Sequence, residues 1–187
     1  MFGLTLVDHL RLTFGHVIYM HRAHTQLALR YARWNRATHG AEALLILSAT
    51  VCSVMSLATG DWRYALASAI TACFAAVVVV LRLVLDFDGT VSAHRACSAR
   101  LWHVREEYRA LLADLQDGHI TLDRARERRD GLMSTLQTIY EKAPAADRAA
   151  FEAARHAAPA EHETALTNEE IDRFLPESMQ KSGKSAA

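Results

Sequence analysis

Apolar positions recur along residues 1–40 at steps of three and four. Leu6, Leu10, Val17, Leu27, Tyr31 and Trp34 follow that step, and Thr13, Met20 and His24 fill the same seam. Such spacing puts side chains on one face of an α-helix, in the manner of a coiled-coil seam. It predicts a long amphipathic helix from about Leu4 to Thr38, with Gly40 the next helix-weakening residue. The pattern then changes. Ala41 to Ala58 reads AEALLILSATVCSVMSLA, apolar almost throughout. At about 18 residues it reaches the lower limit for a bilayer-spanning helix. A second run, Tyr64 to Leu85, covers about 33 Å as a helix, close to the hydrocarbon thickness. Its only charge, Arg82, lies near one end, where a long side chain snorkels to the headgroups. Between the runs, Gly60 and Asp61 supply turn chemistry, and Trp62 and Tyr64 suit a membrane interface.

After Gly89 the helical step returns through Cys97, Leu101, Val104, Tyr108, Leu111 and Leu115, and stops at Asp117-Gly118. Thr121 then caps a helix carrying Leu122, Ala125, Leu132, Leu136 and Ile139 on one face. Beyond Pro144, the chain reads as a short Ala-rich helix over 147–157 and a linker over 159–166. Thr167-Asn168-Glu169-Glu170 forms a capping box for a helix from Asn168 to Leu175, followed by a polar tail. The expected fold is an all-α membrane protein, a two-transmembrane helical hairpin with long cytoplasmic helical extensions and C-terminal cytoplasmic helices. Its expected divisions are the N-terminal helix 1–40, spans at 41–58 and 64–85 around an external turn 59–63, a cytoplasmic helical region 86–158, and the linker, capped helix and tail 159–187. Counting outward from Asp61 makes the arms an antiparallel pair, with Tyr31 near Val91 and His24 near Ser98.

Charge refines this picture. The 187 residues hold 21 Lys+Arg and 21 Asp+Glu, for a formal net charge of zero, so bulk basicity points to no nucleic-acid partner. From Gly40 to Leu85 the only Asp, Glu, Lys or Arg residues are Glu42, Asp61, Arg63 and Arg82. Arg22, Arg30, Arg33 and Arg36 precede the first span, and Arg95, Arg100, Arg105 and Arg109 follow the second. Arginine on those flanks predicts that both termini lie in the cytoplasm. Cys52, Cys73 and Cys97 form no C-x-x-C pair, so neither a zinc site nor a disulfide framework is indicated. Asp8, His9 and Arg11 interrupt the N-terminal apolar run too early for a signal peptide.

Several motifs offer chemistry. Leu83 to Val91, LVLDFDGTV, has the shape of the haloacid-dehalogenase phosphatase motif, in which Asp86 would attack phosphate and Asp88 would serve as acid/base beside Mg²⁺. That chemistry needs alternating strands and helices, which nothing downstream provides, and the preceding apolar run is too long for a strand. The other reading is an acidic helical segment at the membrane surface. His9 and His16 share a helix face, as do His21 and His24, but no H-x-x-x-H pair stands with a carboxylate. Satisfied histidines on a polar arm account for them, and a pH-sensing role stays open. Thr50, Ser53 and Ser56 step by three after Glu42; such small polar residues pack helices together or line a wet path. Leu44, Leu47, Val51 and Val54 occupy the opposite face, and Val77 to Leu81 form a lipid-like block. Glu42 and Arg82 fall at similar depth and are expected to pair at the cytoplasmic membrane face. No catalytic residue, metal or cofactor is expected.

The strings LRYARWNRATHGAEALLILSAT, LVLDFDGTVSAHRACSARLWHVREEYRALLADL and LTNEEIDRFLP resemble the SLATT family, the SMODS- and SLOG-associating two-transmembrane effectors of bacterial nucleotide-signalling conflict systems. Trp34, Asn35, His39 and Glu42, and then Trp102, Arg105, Tyr108 and Leu111, carry the likeness, which runs to about Pro176. The resemblance implies a non-enzymatic anti-phage effector of the bacterial inner membrane that forms a homo-oligomeric pore or disrupts the bilayer. It also implies a nucleotide second messenger or a separate sensor protein as the trigger. Glu42, Thr50, Ser53 and Ser56 are then the pore-lining candidates. The competing readings are a membrane scaffold or signal-coupling protein without a pore and, remotely, the phosphatase.

Overall fold

The computed structural model describes residues 5–145 together with Ile171, Asp172, Leu175 and Gln180. Helix is the regular structure among them: α1 Leu6–Thr59, α2 Trp62–Leu85, α3 Phe87–Gln116 and α4 Leu122–Glu141. The expected helices over 147–157 and Asn168 to Leu175, with the linker and tail, lie outside the described residues apart from those four positions.

The helix ends follow local backbone chemistry. α1 runs through Gly40, whose missing side chain costs only about 1 kcal/mol in a helix interior, and ends at Gly60 with φ +70°. The Gly60 N–H donates to Ser56 O at 2.9 Å. Asp61 caps α2, its carboxylate accepting from the Arg63 N–H at 2.9 Å. α3 closes in a Schellman arrangement: His119 N–H donates to Asp114 O and Gly118 N–H to Leu115 O, with Gly118 at φ +70°. Thr121 caps α4 through the Arg124 N–H.

The chain divides into two compact units, Met1–Leu27 with Ala93–Ala187, and Ala28–Ser92. The first has a core. Leu10, Phe14, Val17 and Ile18 of α1 pack with Leu101, Val104, Tyr108 and Leu111 of α3 and with Ala125, Leu132, Leu136 and Ile139 of α4. Ile171 and Leu175 join this core, and a buried ion pair joins Arg11 to Asp172. The expected face of α4 is buried except at its first member, Leu122, which is exposed.

The second unit is a hairpin turned inside out relative to a water-soluble bundle. Ala75 is the one buried residue of α2. Leu44, Leu47, Val54, Phe74, Val80 and Leu83 all face outward, and Leu57 is 86% exposed. Both apolar helices are long enough to cross a bilayer, and the outward apolar surface is what lipid requires. Inside the hairpin, Leu45, Ser48, Ala49, Cys52 and Ser56 of α1 are half-buried, as are Ser68, Thr71, Val78 and Val79 of α2. Ser68 Oγ donates across to Ala49 O at 2.9 Å, a small-residue contact that brings the helices close.

The paired arms run antiparallel within one turn of the expected neighbours. His24 meets His94 rather than Ser98, and Tyr31 lies against Phe87, ring centroids 6.5 Å apart, rather than Val91. Ser98 is met by Thr25, the next residue of the same α1 turn, at 2.7 Å. Trp34, expected on the seam, is 58% exposed.

Candidate functional site

A polar cluster closes the hairpin unit where the apolar runs end. It is built from α1 residues at steps of four and three: Asn35, His39 and Glu42. Arg82, in the last turn of α2, reaches all the way to that face. Its Nη1 donates to Glu42 Oε2 at 2.8 Å and lies against the His39 ring, whose unprotonated nitrogen can accept from it, so the guanidinium is held by two groups of one helix face. The side chains of Arg82 and Glu42 keep roughly a fifth to a quarter of their exposure, at 24% and 19%. A paired, hydrogen-bonded charge of this kind is the form in which an ionised group is tolerated beside lipid.

The DFDGT string lies just beyond. Asp86 has φ 39° and ψ 57°, the left-handed conformation that costs a non-glycine residue about 1 kcal/mol. It ends α2, its N–H donating to Arg82 O, and starts α3, its carboxylate accepting the Gly89 N–H at 3.1 Å. A Cβ on Gly89 would fall 2.2 Å from Asp86 Oδ2, so a larger residue there would displace that carboxylate. Thr90 Oγ1 donates to Asp86 O at 3.0 Å. Asp88 Oδ1 accepts from Asn35 Nδ2 at 2.6 Å, tying α3 back to α1. Both aspartates are spent on a helix junction, and neither stands at the end of a strand as the phosphatase chemistry needs.

The stripe of Thr50, Ser53 and Ser56 does not share one face. A three-residue step drifts about 60° per step against the helical turn. Ser56 is half-buried in the hairpin, while Ser53 and Thr50 are exposed, Thr50 donating to Ile46 O at 2.8 Å. Of the apolar residues expected opposite, Leu44, Leu47, Val51 and Val54 are exposed as well. In the Val77 to Leu81 block, Val77, Val80 and Leu81 face out, whereas Val78 and Val79 are half-buried. Among the described residues no group of three or more His, Cys, Asp or Glu could hold a metal ion.

Spacing alone left His39 and Asn35 outside the Glu42–Arg82 pair. The signal was present, since 35, 39 and 42 step by four and three, but their polarity hid it from an apolar-seam reading.

An all-α chain with an outward-facing apolar hairpin and a charged clasp at its open end is a two-transmembrane helical protein. It belongs to family 4 of the SMODS and SLOG-associating 2TM effector domains, SLATT, whose pattern matches residues 6–170. Membership makes it a two-transmembrane effector of nucleotide-signalling conflict systems. No curated protein and no solved structure matches the chain.

Proposed function

We propose that this chain is an anti-phage effector of the bacterial inner membrane, with both termini cytoplasmic, whose hairpins assemble into a homo-oligomeric pore. The cored unit receives the trigger, a nucleotide second messenger or a separate sensor protein. The observation that carries the pore is Ser53 with Thr50: polar residues exposed on a hairpin whose other outward residues are predominantly Leu, Ile, Val and Ala. Polar side chains on the outside of a single hairpin find water when several hairpins enclose a path. Arginine on the α1 and α3 flanks, against Asp61 in the turn and Arg63 in the first turn of α2, supports the orientation.

The test is dye release from liposomes containing purified protein and its activating signal. Ser53→Leu should abolish release with oligomer size unchanged, and Val80→Leu, on the outward face of α2, should leave release intact. Normal release by Ser53→Leu oligomers would reject a pore lined by α1. A pore-free scaffold is the second reading. It is favoured by the Thr50 hydroxyl, already satisfied within its own helix and so compatible with lipid. Oligomers that release no dye under activating conditions would establish it.

A further inference from the structure

Two histidines meet inside the cored unit. His24 of α1 is 0% exposed and His94 of α3 is 2% exposed. Their Nδ1 atoms stand 2.9 Å apart, with ring centroids at 5.1 Å and the planes tilted by 39°. Two imidazole nitrogens at that distance share one proton: one ring donates, the other accepts. His24 Nε2 is buried with no hydrogen-bond partner among the described residues. Whichever tautomer His24 adopts, a polar atom stays unsatisfied, so the contact is held at a cost that a Leu pair would avoid.

Polar groups lie close to the pair. His21, one turn earlier on α1, places Nδ1 3.0 Å from both the carbonyl and the hydroxyl of Ser98, and Thr25 Oγ1 lies 2.7 Å from that hydroxyl. Cys97 of α3 lies one turn beyond His94, its thiol pushed up by burial and drawn down by Arg100. From the end of α4, Tyr140 interacts electrostatically with Cys97. Ala23, Leu27 and Leu101 are buried along the same helices.

We propose that the His24–His94 contact is an acid-operated clasp: neutral, it joins α1 to α3 through one N–H···N bond, and doubly protonated, it drives the two helices apart. A first proton from solvent leaves the bond in place but puts a charge on a buried ring. A second removes the acceptor and sets two cations in contact. Burial holds both rings below the usual histidine value of 6.5, and His94 lowers His24 further. Because the closed state holds its protons less tightly than the open one, the open state gains protons as pH falls. The clasp is therefore intact above 6.5 and weakens as pH drops through 6.5 toward the lowered values. The device belongs to the cored unit and stands whether or not the hairpins conduct. Its trigger would be acidification around that unit, as follows proton entry through a permeabilised membrane; that consequence alone rests on the pore reading.

The experiment uses the full chain in lipid nanodiscs. Amide-exchange protection of residues 20–28 and 93–99 is measured at about pH 7.5 and about pH 5.5 and corrected for intrinsic exchange rates. Protection should fall at least about tenfold in acid, the linkage of roughly one proton over one pH unit. His16→Gln, a half-buried histidine outside the pair, should keep most of the fall, and His24→Gln with His94→Gln should lose most of it. Unchanged protection in the parent chain, or an equal fall in the double variant, overturns the proposal. If the double variant fails to fold, histidine ¹³C NMR of the parent decides. Both rings must titrate below 6.5, and either ring titrating at or above it is a refutation. Loss of protection on adding a chelator at neutral pH also overturns it, because the pair would then be holding a metal ion.

Discussion

α1 meets two different media along its length. Over its first turns Leu10, Phe14, Val17, Ile18 and Leu27 are buried, whereas from Leu44 to Leu57 most of the large apolar side chains point outward. The backbone is one uninterrupted helix. What changes is the amphipathic pattern: polar residues share the first segment with an apolar seam, and the second segment is apolar around most of its circumference. A seam asks for protein partners and excludes water by packing. An all-round apolar helix asks for a solvent that is itself apolar. Burial in this protein therefore reports the medium, not the hydrophobicity of the residue.

The sharpest way to break that comparison is to shorten one leucine in each region. Leu101→Ala removes a fully buried side chain from the core and should cost about 3 kcal/mol, within the usual range for such cavities. Leu57→Ala should cost well under about 1 kcal/mol, because no protein cavity opens. Denaturant unfolding in detergent measures both, and equal losses would contradict the two-media account. Next in size is the clasp of the hairpin. Glu42→Gln and Arg82→Gln should each destabilise by about 1–3 kcal/mol, and a double-mutant cycle should show coupling. Additive losses would mean that the contact carries no energy.

Alkaline titration probes the cored unit alone. Burial pushes the Tyr108 and Tyr140 phenols up to about 12. Their contribution to stability is complete below the unfolded value of 10 and is lost as pH rises from 10 toward 12. In a chain with Tyr19, Tyr31 and Tyr64 replaced by Phe, helicity of this unit should fall as tyrosinate absorbance rises, and tyrosinate appearing near 10 without unfolding would contradict the burial. The smallest effect belongs to the junction. Gly89→Ala drives a Cβ into the Asp86 carboxylate, which can swing away only by giving up its cap, a loss of about 1 kcal/mol. Asp86→Gly should stay within about 1 kcal/mol of the parent, since relief of the left-handed strain offsets the lost cap. Thermal melts of the two variants compare them.

Helix ends were the most legible feature of the chain. Gly60, Asp61, Gly118 and Thr121 act on backbone within a turn of themselves, so their residue types suffice. The seam of α3 was legible too: Cys97, Leu101, Val104, Tyr108 and Leu111 are all buried. Phe14 escaped notice because Thr13 fitted the same step, and phase along a long helix cannot be settled by spacing alone. Contacts across the chain were the least legible. Arg11 with Asp172 spans 161 residues, and His24 with His94 depends on which side chain leans toward which. DFDGT misdirects because a motif is a string, while a phosphatase site is a geometry, and here the string builds a helix junction.

The proposed function requires that the hairpin cross the bilayer with the cored unit on the arginine-rich side. Single cysteines at positions 61 and 117, in a chain with Cys52, Cys73 and Cys97 replaced by Ala, test it in intact cells with a membrane-impermeant maleimide. Asp61→Cys should label from outside, and Asp117→Cys should label only after the membrane is opened. Labelling of position 117 in intact cells, or of neither position until lysis, would contradict the account.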